Sequence, residues 1–350
     1  MTSTLKPTLL ALDSAFPALT ISQDEIRSTF FESYFAGIPD LAELFRATRV
    51  RQRHYAWDPR VEFDGREPSL EERMERWEQS VLEVAGRSVG SVLERVDPAT
   101  IGSFVMASCT GYAGPTPELH LARRFELSRH LRRTFIGHMG CYAAFNVIKT
   151  AMDAVAARPD QAVLASCAEF CSLHLRRETT VEQAVIHALF GDATASFVLA
   201  AREDGAGPQF VRTHTTQIYD AHEHMTWTVK PDGFRMTLSP YVPFLLAEGL
   251  NDFLAGLLGP EGLTRDDIKH WGIHPGGPKI VDLLGQRLAL TKEQLRPSFH
   301  VLGEHGNCSS TTVLLVMKEI LEVERPAPGE YGVFMAFGPG LTMEGLLVRF

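Results

Sequence analysis

Three short segments of this 350-residue chain carry residue types suited to thioester and enolate chemistry. They are Gly140-Cys141-Tyr142-Ala143-Ala144-Phe145, Gly272-Ile273-His274-Pro275-Gly276-Gly277-Pro278 and His305-Gly306-Asn307-Cys308-Ser309. Cys141 lies between a glycine turn and a helical pattern, so its sulfur is expected at the positive end of a helix. That placement, beside a histidine, lowers a thiol pKa and favours the nucleophilic thiolate. His274 precedes Pro275-Gly276-Gly277-Pro278, which breaks a strand and exposes the imidazole at its end. An imidazole there can hold a thiolate and donate to a developing oxyanion. Asn307 stands just before a helical pattern and can donate its amide to an enolate oxygen. Each residue alone has a plainer reading: an inert buried thiol, a structural histidine, a turn-forming asparagine. The three in one chain, followed by Ala336-Phe337-Gly338-Pro339-Gly340-Leu341, point to a reactive centre. His270 has no comparable breaker after it and is read as non-catalytic.

The elements that must position these residues alternate. Ile101–Ser108 reads as a buried strand, Thr110–Pro117 as a loop, and Leu119–Arg133 as a helix. After Cys141 the residues Phe145, Ile148, Met152 and Val155 recur at helical spacing, ending at Arg158-Pro159-Asp160. Ala162–Ser166 and Ala193–Ala200 follow as strands, then the linker-like Arg202–Gly207. Further on come a helix near Pro240–Leu258, a strand at His270–Ile273 and a helix after Gly277. A helix over Ser309–Leu321 and strands at Val333–Ala336 and Gly345–Val348 close the chain. Strands alternating with helices predict a layered α/β fold.

Bulk properties narrow the function. Apolar residues make up 45% of the chain, enough for a sizeable core, and no apolar run approaches membrane-spanning length. Met1 to Lys6 lacks a basic start followed by an apolar stretch, which argues against secretion and for the cytoplasm. The net charge of −9 disfavours nucleic acid as a partner, although Arg123, Arg124, Arg129, Arg132 and Arg133 cluster. Five cysteines without a CxxC pair fit reduced thiols, and no metal site is expected.

In these contexts Cys141, His274 and Asn307 resemble the type III polyketide synthases, the chalcone synthase-like family. The likeness runs from about Arg46 to Phe350. Its most specific parts are Trp271-Gly-Ile-His-Pro-Gly-Gly-Pro and Phe337-Gly-Pro-Gly-Leu. Phe190-Gly191-Asp192 matches the segment bearing a gatekeeper phenylalanine. Cys109-Thr-Gly-Tyr and Gly-Cys-Tyr-Ala-Ala-Phe look more like bacterial alkylpyrone and alkylresorcinol synthases than plant chalcone synthases.

The resemblance implies an αβαβα thiolase-like fold of two similar halves, 1–205 and 206–350, an obligate homodimer, and no cofactor beyond coenzyme A or carrier-protein thioesters as substrates. It implies a Cys141, His274 and Asn307 triad catalysing decarboxylative condensation of acyl-CoA with malonyl-CoA, then cyclisation to a pyrone or resorcinol. The alternative is a single-condensation β-ketoacyl synthase, one joining carrier-protein-bound chains included. By the same likeness Phe190, Cys109, Thr110, Cys171, His174, Met236 and Ser309 line the pocket, and Gly338, Pro339 and Gly340 form a scaffold. Arg46 and Arg49, with Arg51 and Arg53 nearby, fall where plant members grip coenzyme A phosphates, though the spacing differs. Arg46, Arg49, Arg129, Arg132 and Arg133 are the expected docking residues for coenzyme A or an acyl carrier protein. Met236 falls at the second gatekeeper position, and Ala336 replaces a scaffold glycine.

Overall fold

The computed structural model describes residues 5–63, 66–176, 178–203 and 205–350. Residues 1–4, part of the stretch read for secretion, and Asp204 of the expected linker lie outside these. Thirteen strands occur among the described residues. The first seven are β1 (Lys6–Ala15), β2 (Leu19–Ser22), β3 (Gln52–Tyr55), β4 (Ile101–Ser108), β5 (Arg132–Gly137), β6 (Ala162–Phe170) and β7 (Asp192–Arg202). The others are β8 (Gln209–Gln217), β9 (Met225–Lys230), β10 (Gly233–Leu238), β11 (Ile268–Ile273), β12 (Tyr331–Gly338) and β13 (Thr342–Arg349).

Nine of them form one mixed sheet in the order β11-β12-β13-β8-β1-β7-β6-β4-β5. The β4–β5, β4–β6 and β11–β12 pairs are parallel and the rest antiparallel. Strands β6 and β7 are buried almost throughout, as near-continuous apolar runs require when both faces are covered. Two helices, Ala143–Ala157 and Thr311–Glu319, share one core cluster with residues from both ends of the sheet, among them Val163, Ala193, Phe334 and Leu346. They form the middle layer. The helix Leu70–Leu93 closes one outer face, packing on Phe104, Leu164 and Val198. A reciprocal cap between Ser69 and Glu72 starts it. Helices Val242–Leu258 and Pro278–Arg287 close the other, over Val333, Met335 and Leu347. Strands β1 and β8 join at one pair, Thr8 with Gln209, so the two halves of the sheet supply the two sheet layers of the expected helix, sheet, helix, sheet, helix order.

The predicted Leu119–Arg133 helix is shorter. It runs Pro117–Arg124 and ends where Glu126 turns to φ +52°, and Arg132 and Arg133 open β5 instead. Pairing of Ser103–Ser108 with Arg132–Gly137 in the parallel ladder outweighs the helical spacing there. Strand β6 extends to Phe170, which places Cys167 inside it rather than at its end. One segment, Val242–Glu261, is long and apolar enough to cross a membrane by composition, with a mean hydropathy of 1.3. Its Val242, Leu246, Leu250, Phe253 and Leu257 are instead buried in the core.

Candidate active site

Cys141 sits two residues before the Ala143–Ala157 helix, on a turn that Gly140 makes at φ +81°. A side chain at Gly140 would put its Cβ 2.5 Å from Pro339 Cδ, and one at Gly338 would meet the Tyr142 ring at 2.7 Å. The Gly338-Pro339-Gly340 turn therefore packs directly on the cysteine turn. Both glycines are required by close approach, not only by torsion. The Cys141 sulfur is buried, within hydrogen-bonding reach of the Ser309 and Asn307 side chains. Burial pushes the thiol up to about 12, against the pull of those two side chains. The expected lowering by the helix end is not what dominates: loss of hydration does.

His274 follows the last residue of β11, and its N–H donates to the Met335 carbonyl at 2.8 Å. Neither ring nitrogen has a hydrogen-bond partner among the described residues, and burial pushes its pKa down to about 3. The imidazole is neutral across the working range, with one donor and one acceptor nitrogen uncommitted. Asn307 is locked by its backbone: its N–H donates to the Leu189 carbonyl at 2.8 Å, and Gly191 N–H to its own carbonyl at 3.0 Å. Its Oδ1 accepts from Ser309 N at 2.9 Å and Thr312 Oγ1 at 3.4 Å, an Asx turn. Its Nδ2 makes one long bond, 3.4 Å to the Gly276 carbonyl. The plain and the chemical reading of Asn307 thus occupy opposite ends of one carboxamide. A Cβ on Gly276 would stand 3.7 Å from His274 Nε2, so the same turn touches both the imidazole and the carboxamide.

The predicted pocket residues Cys109, Thr110, Cys171, His174, Phe190, Met236 and Ser309 all line one cavity together with Cys141 and Pro339. His274 and Asn307 are not in its lining; they are buried beside it. His174 is a wall post rather than a charge. Its Nε2 donates to the Thr110 carbonyl at 2.7 Å, its Nδ1 accepts from Phe234 N at 3.1 Å, and its ring stacks on Phe234 at 4.3 Å. Burial pushes its pKa down to about 3.

Several liners escaped the sequence reading. Trp227 and Phe234 come from the β9–β10 hairpin, whose three threonines and Lys230-Pro231-Asp232-Gly233 turn look like a surface loop. Trp227 Nε1 donates to the Cys109 carbonyl at 2.6 Å. Arg176 grips Asp232 with two bonds of 2.8 and 2.6 Å, and Arg235 meets Glu178 at 2.9 Å, pinning the hairpin down.

Glu169 was also missed, although a lone carboxylate in the apolar run Val163–Phe170 is a signal in itself. It is fully buried and accepts from Cys109 N at 2.9 Å, from Thr110 Oγ1 at 3.0 Å and from Ser310 Oγ. Burial pushes its pKa from the ordinary 4.5 up to about 7, despite those bonds. A raised carboxyl pKa costs nothing below the unfolded value and its full penalty above the folded one. Glu169→Gln should therefore gain on the wild type by about 3 kcal/mol between pH 4.5 and pH 8, read by urea unfolding at both ends. An equal stability difference at both pH values would contradict this.

Of the expected docking residues, Arg46 is exposed and paired with Glu43, and Arg49 makes a two-pronged pair with Asp282. Arg133 pairs with Glu118, and neither Arg129 nor Arg132 lines the cavity. No group of His, Cys, Asp and Glu among the described residues could hold a metal ion.

Comparison with known proteins gives the family. The family model for chalcone and stilbene synthases, N-terminal domain, matches residues 1–203, and that for the C-terminal domain matches 209–350. An alpha-pyrone synthesis polyketide synthase-like protein of Mycobacterium tuberculosis is 32% identical over 321 residues, covering 88% of this chain and 81% of that one. A 1,3,6,8-tetrahydroxynaphthalene synthase of Streptomyces peucetius subsp. caesius is 31% identical over 315 residues, covering 88% and 83%. Among solved structures, PKS-I of the brown alga Ectocarpus siliculosus superposes with a TM-score of 0.92 at 27% identity, over 99% of both chains. The tetrahydroxynaphthalene synthase of Streptomyces coelicolor A3(2) superposes with a TM-score of 0.88 at 27% identity, covering 98% of this chain and 99% of that one. The chain belongs to the chalcone and stilbene synthase family and is a type III polyketide synthase, a condensing acyltransferase.

Proposed function

We propose that the enzyme loads an acyl group from acyl-CoA onto Cys141, extends it with malonyl-CoA units and cyclises the product to a pyrone or resorcinol. The observation that carries this is the spare donor capacity beside the buried sulfur: Asn307 Nδ2 and the uncommitted nitrogens of neutral His274. Neutral donors suit a thioester carbonyl, which gains charge only as reaction proceeds.

The malonyl thioester carbonyl sits against His274 and Asn307. Its C–carboxylate bond breaks, carbon dioxide leaves, and the electron pair passes into the enolate oxygen these groups steady. Phe190, a cavity wall, keeps water from the departing carboxylate. The enolate carbon then attacks the acyl carbonyl on Cys141, and the thiolate departs as the new carbon–carbon bond closes. Decarboxylation itself generates the carbanion, so no carboxylate base is required.

A homodimer suits the sheet, because β5 ends it with an edge to which a second copy can add its own. Five unpaired thiols suit a reducing cytoplasm. The test is incubation with an acyl-CoA series and isotopically labelled malonyl-CoA, followed by mass spectrometry. Products carrying two or more labelled units and one ring are expected. A single labelled unit would favour the one-step β-ketoacyl synthase. No extended product from coenzyme A or carrier-protein thioesters would overturn both.

A further inference from the structure

Arg53 on β3 is 1% exposed, among the largest fully buried side chains of the protein. The acceptors it uses are all neutral. Nη1 donates to the carbonyls of His187 and, at 2.8 Å, Phe190, and Nη2 donates to Gln23 Oε1 at 2.8 Å. Gln23 is itself oriented for this, since its Nε2 donates to the Ala188 carbonyl at 2.8 Å. Nearby Asp192 spends its oxygens on Ala56 N, Ser172 N and Ser172 Oγ. A buried cation held by neutral dipoles loses much of its hydration energy, and burial is the main influence lowering its pKa. A methionine would fill the same space without that cost. What only a guanidinium supplies is a rigid fork: one nitrogen holds the His187 and Phe190 carbonyls at the C-terminal end of the Val181–Leu189 helix while the other holds Gln23.

That helix end matters. The aliphatic stem of Arg53 lies under two glycines that flank Phe190 and Asn307. A Cβ on Gly306 would meet Arg53 Cδ at 3.0 Å and the Leu189 carbonyl at 2.5 Å; one on Gly191 would meet Arg53 Cβ at 3.5 Å. Phe190 and Asn307 are joined there by a parallel β-bridge. Arg53 also reaches the cavity wall beside Phe190. Cys141, by contrast, hangs from Gly140 and Pro339, whereas the hydrogen bonds of Arg53 go to His187, Phe190 and Gln23.

We propose that Arg53 is a positioning residue for the malonyl half-reaction: its fork clamps the Phe190 carbonyl and so sets the Phe190–Asn307 bridge against the enolate site. The inference rests on the proposed function, and the experiment separates the two half-reactions. Arg53→Lys keeps the charge without the fork, and Arg53→Gln keeps polarity without the charge. Each is compared with the wild type for acylation of Cys141 by acyl-CoA, followed by intact mass, and for carbon dioxide release from malonyl-CoA alone.

In both variants decarboxylation should fall in kcat by about 100-fold, the usual penalty for an ångström-scale misplacement, and acylation by at least tenfold less. Decarboxylation at the wild-type rate in both would overturn the inference. So would collapse of both half-reactions together, which would make Arg53 a general support of the fold. A wild type that releases no carbon dioxide from malonyl-CoA would instead sink the proposed function.

Discussion

Cys141→Ala ends chain extension while leaving malonyl-CoA decarboxylation measurable. The sulfur is where the growing chain is held, so product formation should fall by at least about four orders of magnitude, as when other covalent nucleophiles are removed. The enolate site is a separate construction: His274 ends β11, and Asn307 is fixed through Leu189 and Gly191. Alanine at 141 leaves in place the backbone bonds that fix both residues. Product analysis by mass spectrometry, with trapped carbon dioxide measured in parallel, checks both statements. Extended product at a comparable rate from the alanine variant would rule out an acyl-enzyme on Cys141.

Asn307→Ala and Asn307→Asp should each slow decarboxylation by about 10²–10³-fold, the effect of losing one preorganised oxyanion donor. The pair of variants separates the two ends of the carboxamide. Oδ1 accepts from Ser309 N and Thr312 Oγ1, and aspartate keeps that acceptor, whereas alanine discards it. Thermal unfolding should therefore place the alanine variant below the wild type by about 1 kcal/mol, one net hydrogen bond, and the aspartate variant above the alanine one. Activity should not follow stability: aspartate places negative charge where an enolate must form and should be no better than alanine. An aspartate variant with substantial turnover would move the donor role elsewhere.

The reactive segments were legible because their neighbours punctuate the chain. Gly140, the Pro275–Pro278 run and Gly306 each enforce a turn, and a turn next to a strand or helix end is where a side chain can project. The span of β4 was legible as an apolar run, whereas β11 and β12 were read at their centres, His270–Ile273 and Val333–Ala336, and run two and four residues longer. What stayed hidden depends on contacts distant in sequence. Arg53 reads as one of four arginines in a segment expected near coenzyme A until β3 is seen to alternate, turning Gln52 and His54 outward and Arg53 and Tyr55 inward. The β9–β10 hairpin looks polar because its ion pairs to Arg176 and Glu178 lie on the outside, while Trp227 and Phe234 face the cavity. The thiol pKa of Cys141 was misjudged for the same reason. A helix end is a local feature, but the burial that outweighs it comes from elements far along the chain.

Packing of Pro339 on Gly140 has a consequence for how the enzyme comes into being. The cysteine emerges from the ribosome roughly midway through translation, whereas the proline that braces its turn follows almost two hundred codons later. A nascent polypeptide therefore carries the thiol long before its chemistry is assembled, and acquires an acyl-accepting centre only on completing the last pair of strands.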